Sequence, residues 1–325
     1  MKIGIIGVGQ WGKNLLRVFD GLAEVVWCSN RTNKATQEWI KEEYPSVKVT
    51  FDYSEVLKDA SIEAVVVATP VKTHFSITKQ ALKQGKHVFL EKPMTNTIPE
   101  AEELIDLAEQ NKLVLFIGHI FLYHPVYKRI KKLISQDPAR KIDMIWNKFG
   151  SFKEDIINNL VSHDIAIMLD LLQDRPERIA NVRIYPVISG ADIISSDLYF
   201  EHGKTCTISI NRVNPQKRKE VRIVTESGWL FYWLDDRLLV FNQKQKAFDL
   251  LLESSEEPLK AECERFIHCV SKTETPLTNG KFGLEVVKLL NALKRHMQTL
   301  IEGELYCDTM DGKGNPLCCN RRAVY

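Results

Sequence analysis

The motif Gly7-Val8-Gly9-Gln10-Trp11-Gly12 is the feature that most constrains the fold of this chain. It ends a short apolar run that begins at Lys2, and it opens a stretch with helical spacing of apolar residues that continues to Gly21. In such a strand–turn–helix unit the first glycine permits a tight turn, the second lets the backbone approach a diphosphate, and the third lets helix and strand pack closely. The start of the helix adds free amides and a partial positive charge. The motif predicts a dinucleotide site that includes Gly7, Gly9, Gln10, Trp11 and Gly12, with a turn that binds nothing as the alternative.

The alternation of short apolar runs with helical segments predicts the architecture around this motif. Six strand-like runs fall within the first 118 residues, among them the nearly pure valine run from Ala64 to Ala68, which is the composition of a strand buried on both faces. After Gly118 the chain changes to seven extended segments richer in aromatic residues, between Ile142 and Asn242, with a helix from Asn159 to Leu172 inserted among them. We therefore predict an α/β protein with an N-terminal Rossmann dinucleotide-binding domain, residues 1–118. Residues 119–305 are predicted to form a C-terminal α/β domain with a large, mostly antiparallel open sheet. Residues 306–325 form a tail of uncertain structure.

The charge and the cysteine content indicate which binding partners and which cellular compartment to expect. The formal net charge is +2, so the chain has no strong positive field for a nucleic acid or an anionic membrane. No apolar run approaches the ~20 residues of a membrane span, and the first residues do not form a secretory signal. The seven cysteines have no regular spacing, which predicts free thiols. In the tail, Cys307, Cys318 and Cys319 leave a metal site or a crosslink open beside a loose tail. We expect a cytoplasmic protein that binds neither nucleic acid nor membrane.

The end of the second predicted strand bears on the choice between NAD and NADP. An acidic residue about 20 positions after the first glycine usually holds the ribose hydroxyls of NAD. Here Ser29, Asn30 and Arg31 stand at this point. A hydroxyl can donate to a 2′-phosphate and an arginine can pair with it through two hydrogen bonds. The sequence favours NADP and leaves NAD possible, with Arg31 as a solvated loop residue in the second case.

The sequence Glu91-Lys92-Pro93 follows another predicted strand, which places Lys92 at the carboxyl edge of the sheet, where ligands of open α/β sheets bind. A lysine beside a nicotinamide can hydrogen-bond a substrate hydroxyl and stabilise developing negative charge on its oxygen. The alternative is an ordinary solvated lysine at a strand end.

Taken together, the glycine motif, Glu91-Lys92-Pro93, Gly118-His119 and Tyr123-His124-Pro125 resemble the glucose-fructose oxidoreductase / inositol dehydrogenase family (Gfo/Idh/MocA), over residues 1 to about 302. Within it, the sequence is most similar to the branch that acts on nucleotide-linked sugars. The resemblance implies a Rossmann domain followed by an α/β domain whose open sheet often forms an oligomer interface, and hence a homodimer or homotetramer.

The resemblance also implies site residues. Catalysis in the family uses the lysine of Glu-Lys-Pro together with a helix that carries an aspartate four residues before a histidine. The histidine is His163 here, and Asn159 stands at the aspartate position. An amide can orient a hydroxyl but cannot accept a proton, so the departure at Asn159 puts part of the proton relay in doubt. Positions 159 and 163 share one face of a helix, and His163 is the predicted general base.

Several further residues follow from the same reading. His119 and Tyr123 are expected to line the substrate mouth with Lys92, Asn159 and His163. Thr69, Pro70 and His74 are expected beside the cofactor without a chemical role, as is Glu91. The run Lys217-Arg218-Lys219 is predicted to be a solvated turn, with contact to a substrate phosphate as the alternative. The sequence has no metal-ligand spacing, so no metal is expected.

The leading hypothesis is an NAD(P)-dependent oxidoreductase that transfers hydride between nicotinamide and a secondary alcohol or ketone carbon of a sugar, in particular a nucleotide-linked sugar. Two alternatives remain open at this point: a non-catalytic NAD(P)-binding regulator of the same fold, which Asn159 keeps in consideration, and a biliverdin- or dihydrodiol-type reductase.

Overall fold

A computed structural model describes residues 1–150, 152 and 154–305 of the chain. The predicted tail, with Cys307, Cys318 and Cys319, lies outside the described residues. Cys28, Cys206, Cys263 and Cys269 are buried free thiols. No helix within the described ranges is both long enough and apolar enough to span a membrane.

The first sheet consists of six parallel strands with helices between them. Its elements are β1 (Lys2–Ile6), α1 (Gln10–Asp20), β2 (Glu24–Ser29), α2 (Lys34–Glu43), β3 (Lys48–Thr50), α3 (Tyr53–Lys58), β4 (Ala64–Val67), α4 (His74–Lys83), β5 (His87–Glu91), α5 (Ile98–Gln110) and β6 (Leu115–Gly118). The strand order is β3-β2-β1-β4-β5-β6. Because the order reverses between β1 and β4, a crevice forms there at the carboxyl ends of the strands. This is the predicted Rossmann sheet, and the buried valines of β4 lie at its centre.

The second sheet has eight strands and is antiparallel except for the pair β7–β10. The strands of this sheet and the two helices among them are, in chain order, α6 (Pro125–Ile134), β7 (Ala139–Asn147), α7 (Ser162–Leu172), β8 (Arg178–Tyr185), β9 (Ile193–Tyr199), β10 (Thr205–Asn211), β11 (Arg218–Thr225), β12 (Leu230–Leu234), β13 (Arg237–Asn242) and β14 (Ala247–Glu253). The fold class is thereby confirmed. The edge strand β14 was missed in the sequence because Leu250, Leu251 and Leu252 follow one another without the alternation of a half-buried strand. We retain residue 118 as a proposed domain boundary, since the first sheet ends there.

The last two helices both pack against the first domain, and α9 also contacts the second sheet. Helix α8 (Pro258–Lys272) inserts Phe266 among Phe19, Phe89 and Phe116, with ring centroids 6.1, 5.6 and 5.7 Å away. Such edge-to-face contacts stabilise by about 0.5–1.5 kcal/mol beyond the area that they bury. Helix α9 (Gly280–Leu305) contacts α5 and β6 of the first sheet and α7 and β8 of the second. The carboxyl end of β5 is therefore fixed relative to α7.

Candidate active site

The glycine loop between β1 and α1 has the backbone that its sequence predicts. Gly7 has φ +97°, and a Cβ there would lie 2.6 Å from the side chain of Thr69. A Cβ on Gly12 would lie 2.3 Å from the carbonyl oxygen of Gly7, so the helix could not approach the strand. Gly9 faces open space and is the N-cap of α1, and no side chain of the described residues caps the start of the helix. Loop and helix start thus form a cradle that fits a dinucleotide diphosphate.

The end of β2 supports this loop from below. The backbone amides of Gly7 and Val8 donate to the carbonyl oxygen of Ser29, and the Asn30 side chain donates to the carbonyl of Val8 at 2.6 Å. Ser29 is 3% exposed, and the Asn30 oxygen accepts two backbone amides of the following turn. Ser29 and Asn30 thus support the glycine loop, and their contact with a cofactor stays a prediction. Arg31 is exposed, and no ion pair to it exists among the described residues.

Trp11 connects the glycine loop to Glu91. Its indole nitrogen donates to Glu91 Oε1 at 2.6 Å, and the backbone amide of Lys92 donates to Glu91 Oε2 at 3.2 Å. Burial raises the pKa of Glu91 to about 7, against the lowering effects of Trp11 and Lys92. Glu262 of α8 is fully buried nearby, and its carboxyl has no hydrogen-bond partner among the described residues. Burial, and secondarily the charge of Glu91, raise the pKa of Glu262 well above its usual range.

His74 joins the loop after β4 to the turn after Lys92. Its imidazole is 1% exposed and lies between the carbonyl oxygens of Thr69, 2.7 Å from Nε2, and of Pro93, 2.9 Å from Nδ1. The Thr69 hydroxyl is 2.8 Å from that of Thr73. Pro70 is exposed and ends this loop as the residue before a short 3₁₀ turn. His74 therefore fixes two loops at the crevice relative to each other.

Lys92 reaches from the carboxyl end of β5 to the helix of the second domain. Its Nζ donates to the carbonyl oxygen of Asn159 at 2.8 Å and to Asn159 Oδ1 at 3.3 Å. Burial lowers the pKa of Lys92 to about 8, while Glu91 and Glu154 act to raise it. The Asn159 amide donates to the carboxylate of Glu154. Glu154, which sequence reasoning missed, thus supplies a carboxylate next to the amide; a lone exposed glutamate in a loop gives no signal in the sequence.

Asn159 lies in a π-helical turn, Ile157–Val161, that precedes α7. The predicted helix from Asn159 to Leu172 is therefore regular only from Ser162 onward. Wide turns of this kind are frequent at functional sites because they release backbone carbonyls from the helical pattern. Here the carbonyl oxygen of Asn159 accepts a hydrogen bond from the ammonium of Lys92.

His163 stands on the first turn of α7 between aromatic rings. Its ring centroid is 5.0 Å from that of Phe121 and 5.5 Å from that of Trp146. Its Nδ1 is buried without a hydrogen-bond partner among the described residues. Burial, and then the positive charges of Lys92 and Lys219, lower the pKa of His163 well below its usual value. This favours the neutral imidazole, in which one ring nitrogen carries no proton.

His119 and Tyr123 have different surroundings, although both follow β6. His119 is 1% exposed, both of its ring nitrogens lack partners within the described chain, and burial followed by the charge of Lys92 lowers its pKa to about 3. Tyr123 stacks on Phe116, and its hydroxyl is 2.9 Å from that of Thr278. The charge of Lys92 thus acts on His119, whereas the hydroxyl of Tyr123 is bonded to Thr278. That both residues line the substrate mouth stays a prediction.

Lys219 does not lie in a solvated turn, contrary to the sequence prediction. The predicted solvated turn is instead the start of β11, and Lys219 is only 9% exposed. Its Nζ lies 2.9 Å from Asp164 Oδ1 and 3.7 Å from the centre of the Trp146 ring. Within the ranges described, no three His, Cys, Asp or Glu side chains form a group that could hold a metal ion.

The glycine loop forms a diphosphate cradle at the switch point of the Rossmann sheet. Lys92 ends a strand of this sheet, and the second domain brings the imidazole of His163 to the same edge. This arrangement defines the class of nicotinamide-dinucleotide-dependent oxidoreductases. The comparisons agree with this class. Residues 1–119 match the family model GFO_IDH_MocA, described as an oxidoreductase family with an NAD-binding Rossmann fold. Residues 1–119 thus match the Rossmann domain of the Gfo/Idh/MocA oxidoreductase family, as their motifs indicated.

Relatives extend the similarity to the second domain. The chain is 26% identical over 314 residues to UDP-N-acetylglucosamine 3-dehydrogenase from Acidithiobacillus ferrooxidans, a match that covers 88% of this chain and 94% of that protein. A crystal structure of that dehydrogenase matches the fold with a TM-score of 0.84 and 22% identity, over 91% of this chain and 97% of the other. A scyllo-inositol 2-dehydrogenase (NADP(+)) from Bacillus subtilis is 31% identical over 48% of this chain and 43% of its own length. A scyllo-inositol 2-dehydrogenase (NAD(+)) of the same organism is 22% identical over a match that covers 93% of this chain and 96% of that protein.

Proposed function

We propose that this chain is an NAD(P)-dependent dehydrogenase that transfers hydride between nicotinamide and a secondary alcohol or ketone carbon of a sugar, in particular a nucleotide-linked sugar. The observation that carries the proposal is the convergence of Lys92, Asn159 and His163 at the carboxyl end of β5, on the crevice that the glycine loop borders. The similarity over nearly the whole chain to a dehydrogenase of a UDP-linked sugar supports the substrate class.

The roles of the residues follow from their charge states. Gly7, Gly9, Gly12 and the start of α1 would hold the diphosphate of NAD(P), with Gln10, Trp11, Thr69 and Pro70 beside it. When bound, the nicotinamide supplies the acceptor or donor of hydride. Lys92, as an ammonium, donates a hydrogen bond to the substrate oxygen. His163 takes the hydroxyl proton when an alcohol is oxidised and returns it when a ketone is reduced. Asn159 holds Lys92 in place, and His119 contributes ring nitrogens that a substrate hydroxyl can bond.

We propose NADP as the preferred cofactor. Arg31 supports this, because it is an exposed guanidinium directly after β2, and the loop there contains no carboxylate to repel a 2′-phosphate. The test compares kcat/KM for NADP and NAD in wild type and in Arg31→Ala. We expect the variant to lose at least about tenfold of its preference, which corresponds to ~1.4 kcal/mol. Lys34→Ala is the matched control, since Lys34 is an exposed cation that lies nearby and pairs with Glu38.

The test of the activity itself has two parts. Calorimetry with NADP and NAD measures binding, and absorbance of the reduced cofactor follows turnover on UDP-linked hexoses, free hexoses and inositols. We expect turnover on at least one nucleotide-linked sugar and a loss of at least ~100-fold in kcat for Lys92→Ala. Cofactor binding without turnover on any substrate would favour the regulator, and turnover unaffected by Lys92→Ala would refute the roles given above.

We also propose a homodimer or homotetramer. On the edge strand β14, Phe248 and Leu250 lie on one face of the sheet and are 45% and 54% exposed, and Phe248 contacts Tyr232 and Phe241 there. Large apolar side chains exposed together favour a partner surface.

A further inference from the structure

Lys219 and Asp164 form a buried ion pair beside His163. The lysine comes from β11 and the aspartate from the first turn of α7, next in sequence to His163. The side chains are 10% and 1% exposed, and their Nζ and Oδ1 are 2.9 Å apart. A buried ion pair gives little net stability, since desolvation of both charges offsets their attraction. The pair therefore invites a functional explanation.

Aromatic rings fix the position of the Lys219 ammonium. Lys219 and Trp146 are partners across β11 and β7, and the ammonium lies 3.7 Å from the centre of the Trp146 ring and 4.3 Å from that of Phe121. The same two rings contact the imidazole of His163, at centroid distances of 5.5 and 5.0 Å. The ammonium and the imidazole thus share two aromatic walls, and neither can move far without disturbing them.

The ion pair between Lys219 and Asp164 changes the electrostatic environment of His163. After burial, the charges of Lys92, Lys219, His119 and Lys148 disfavour its protonation. The nearest carboxylate in sequence is Asp164, whose Oδ2 is buried without a hydrogen-bond partner in the described chain. An unpaired carboxylate at this position would attract a proton toward the imidazole. Lys219 both neutralises Asp164 and adds a positive charge of its own.

We propose that Lys219 is a positioning residue of the site: anchored on Asp164 between Trp146 and Phe121, its ammonium keeps His163 neutral and ready to accept the substrate proton. The inference rests on the function proposed above, in which His163 is the base. The only proton moved is that of the substrate hydroxyl, which passes to the imidazole, and Lys219 keeps its own protons throughout.

The test measures the protonation of His163 directly. Titration of isotope-labelled protein followed by NMR of the histidine rings gives the pKa of each of the eight histidines, and the signal that disappears in His163→Asn identifies the residue. We expect Lys219→Met to raise the pKa of His163 by at least about one unit. Lys219→Arg, which keeps the charge, should change it by less than about half a unit.

A second variant guards against misfolding. Lys219→Met leaves Asp164 buried and unpaired, which is strongly destabilising. The double variant Lys219→Met/Asp164→Asn removes both charges with side chains of similar volume, and it too should raise the pKa of His163, because the opposing ammonium is gone. An unchanged pKa in a folded single or double variant would overturn the proposal. A Lys219 that serves only as a structural support would leave the pKa unchanged.

Turnover separates this inference from the proposed function. In the direction of alcohol oxidation, the pH at which kcat falls on the acid side should rise in Lys219→Met together with the NMR value. If the NMR value rises but the wild type oxidises no sugar or sugar alcohol, the function proposed above fails and the electrostatic role of Lys219 stands. If turnover is present and the acid limb does not move, the role of Lys219 is refuted.

Discussion

Asn159→Asp tests how the residue at this position controls Lys92. The Asn159 oxygen is 3.3 Å from Lys92 Nζ, so an aspartate would bring a full negative charge to about that distance. At an effective dielectric constant of 20, two unit charges at this separation attract by about 5 kcal/mol. The amide dipole already supplies part of this interaction and solvent reduces it further. We therefore expect the pKa of Lys92 to rise by about one to two units from its value of about 8.

The assay is the pH dependence of kcat/KM on a substrate found in the turnover test of the proposed function. Activity requires the Lys92 ammonium, so in wild type it should fall as pH rises through about 8. In Asn159→Asp the ammonium persists to higher pH, and the alkaline limb should move up by about one to two units with it. This shift raises activity at alkaline pH, whereas a general loss of function would lower activity at every pH.

Two further variants control this experiment. Asn158→Asp adds a carboxylate one residue away, where the side chain bonds Lys294 at 2.7 Å and has no bond to Lys92, so its alkaline limb should match that of wild type. Asn159→Asp/Glu154→Gln removes the repulsion between the introduced carboxylate and Glu154, which in wild type accepts a hydrogen bond from the Asn159 amide. If the limb stays near pH 8 in both Asn159→Asp variants, Lys92 does not determine it and the reasoning is refuted.

Three other predictions concern the loop, the core and the outer face. Gly12→Ala places a Cβ 2.3 Å from the Gly7 carbonyl oxygen, so calorimetry should show at least about tenfold weaker NADP binding, whereas Gly190→Ala, with open space around it, should bind as wild type. Glu262 has its folded pKa raised above its unfolded value, so the stability that it contributes below its unfolded pKa is lost as pH rises through the folded pKa. Glu262→Gln should therefore gain in Tm over wild type as pH rises from about 5 to about 8, and parallel melting curves would contradict this. Leu250→Lys should convert an assembled wild type to monomer by light scattering, and an unchanged mass would exclude this face as the interface.

Local features of the chain are sufficient to predict the first domain. The alternation of apolar runs and helical segments depends on periodicities of two and 3.6 residues, which are local properties of the backbone. The roles of Gly7 and Gly12 are predictable because they follow from steric contacts around one strand–turn–helix unit. The place of Lys92 is predictable because a residue that ends a parallel strand must lie at the ligand edge of the sheet.

The surroundings of each polar side chain depend on residues that are distant in the sequence, and local patterns therefore do not predict them. Lys219 occurs in a run of cations that is solvated in most chains, and only the pairing of β11 with β7 and the packing of α7 bury it on Asp164. The hydroxyl of Tyr123 bonds that of Thr278, which lies 155 residues further along the chain, and no local pattern in the sequence indicates this contact.

The sequence by itself thus determined the nature of the fold, the cradle for a dinucleotide and the lysine at the sheet edge, since all three follow from backbone geometry over a few consecutive residues. Only the tertiary structure decided which charges share a site and which of them are neutral. Burial and the distance between charges set a side chain's protonation, and both depend on strands and helices that are far apart in the chain.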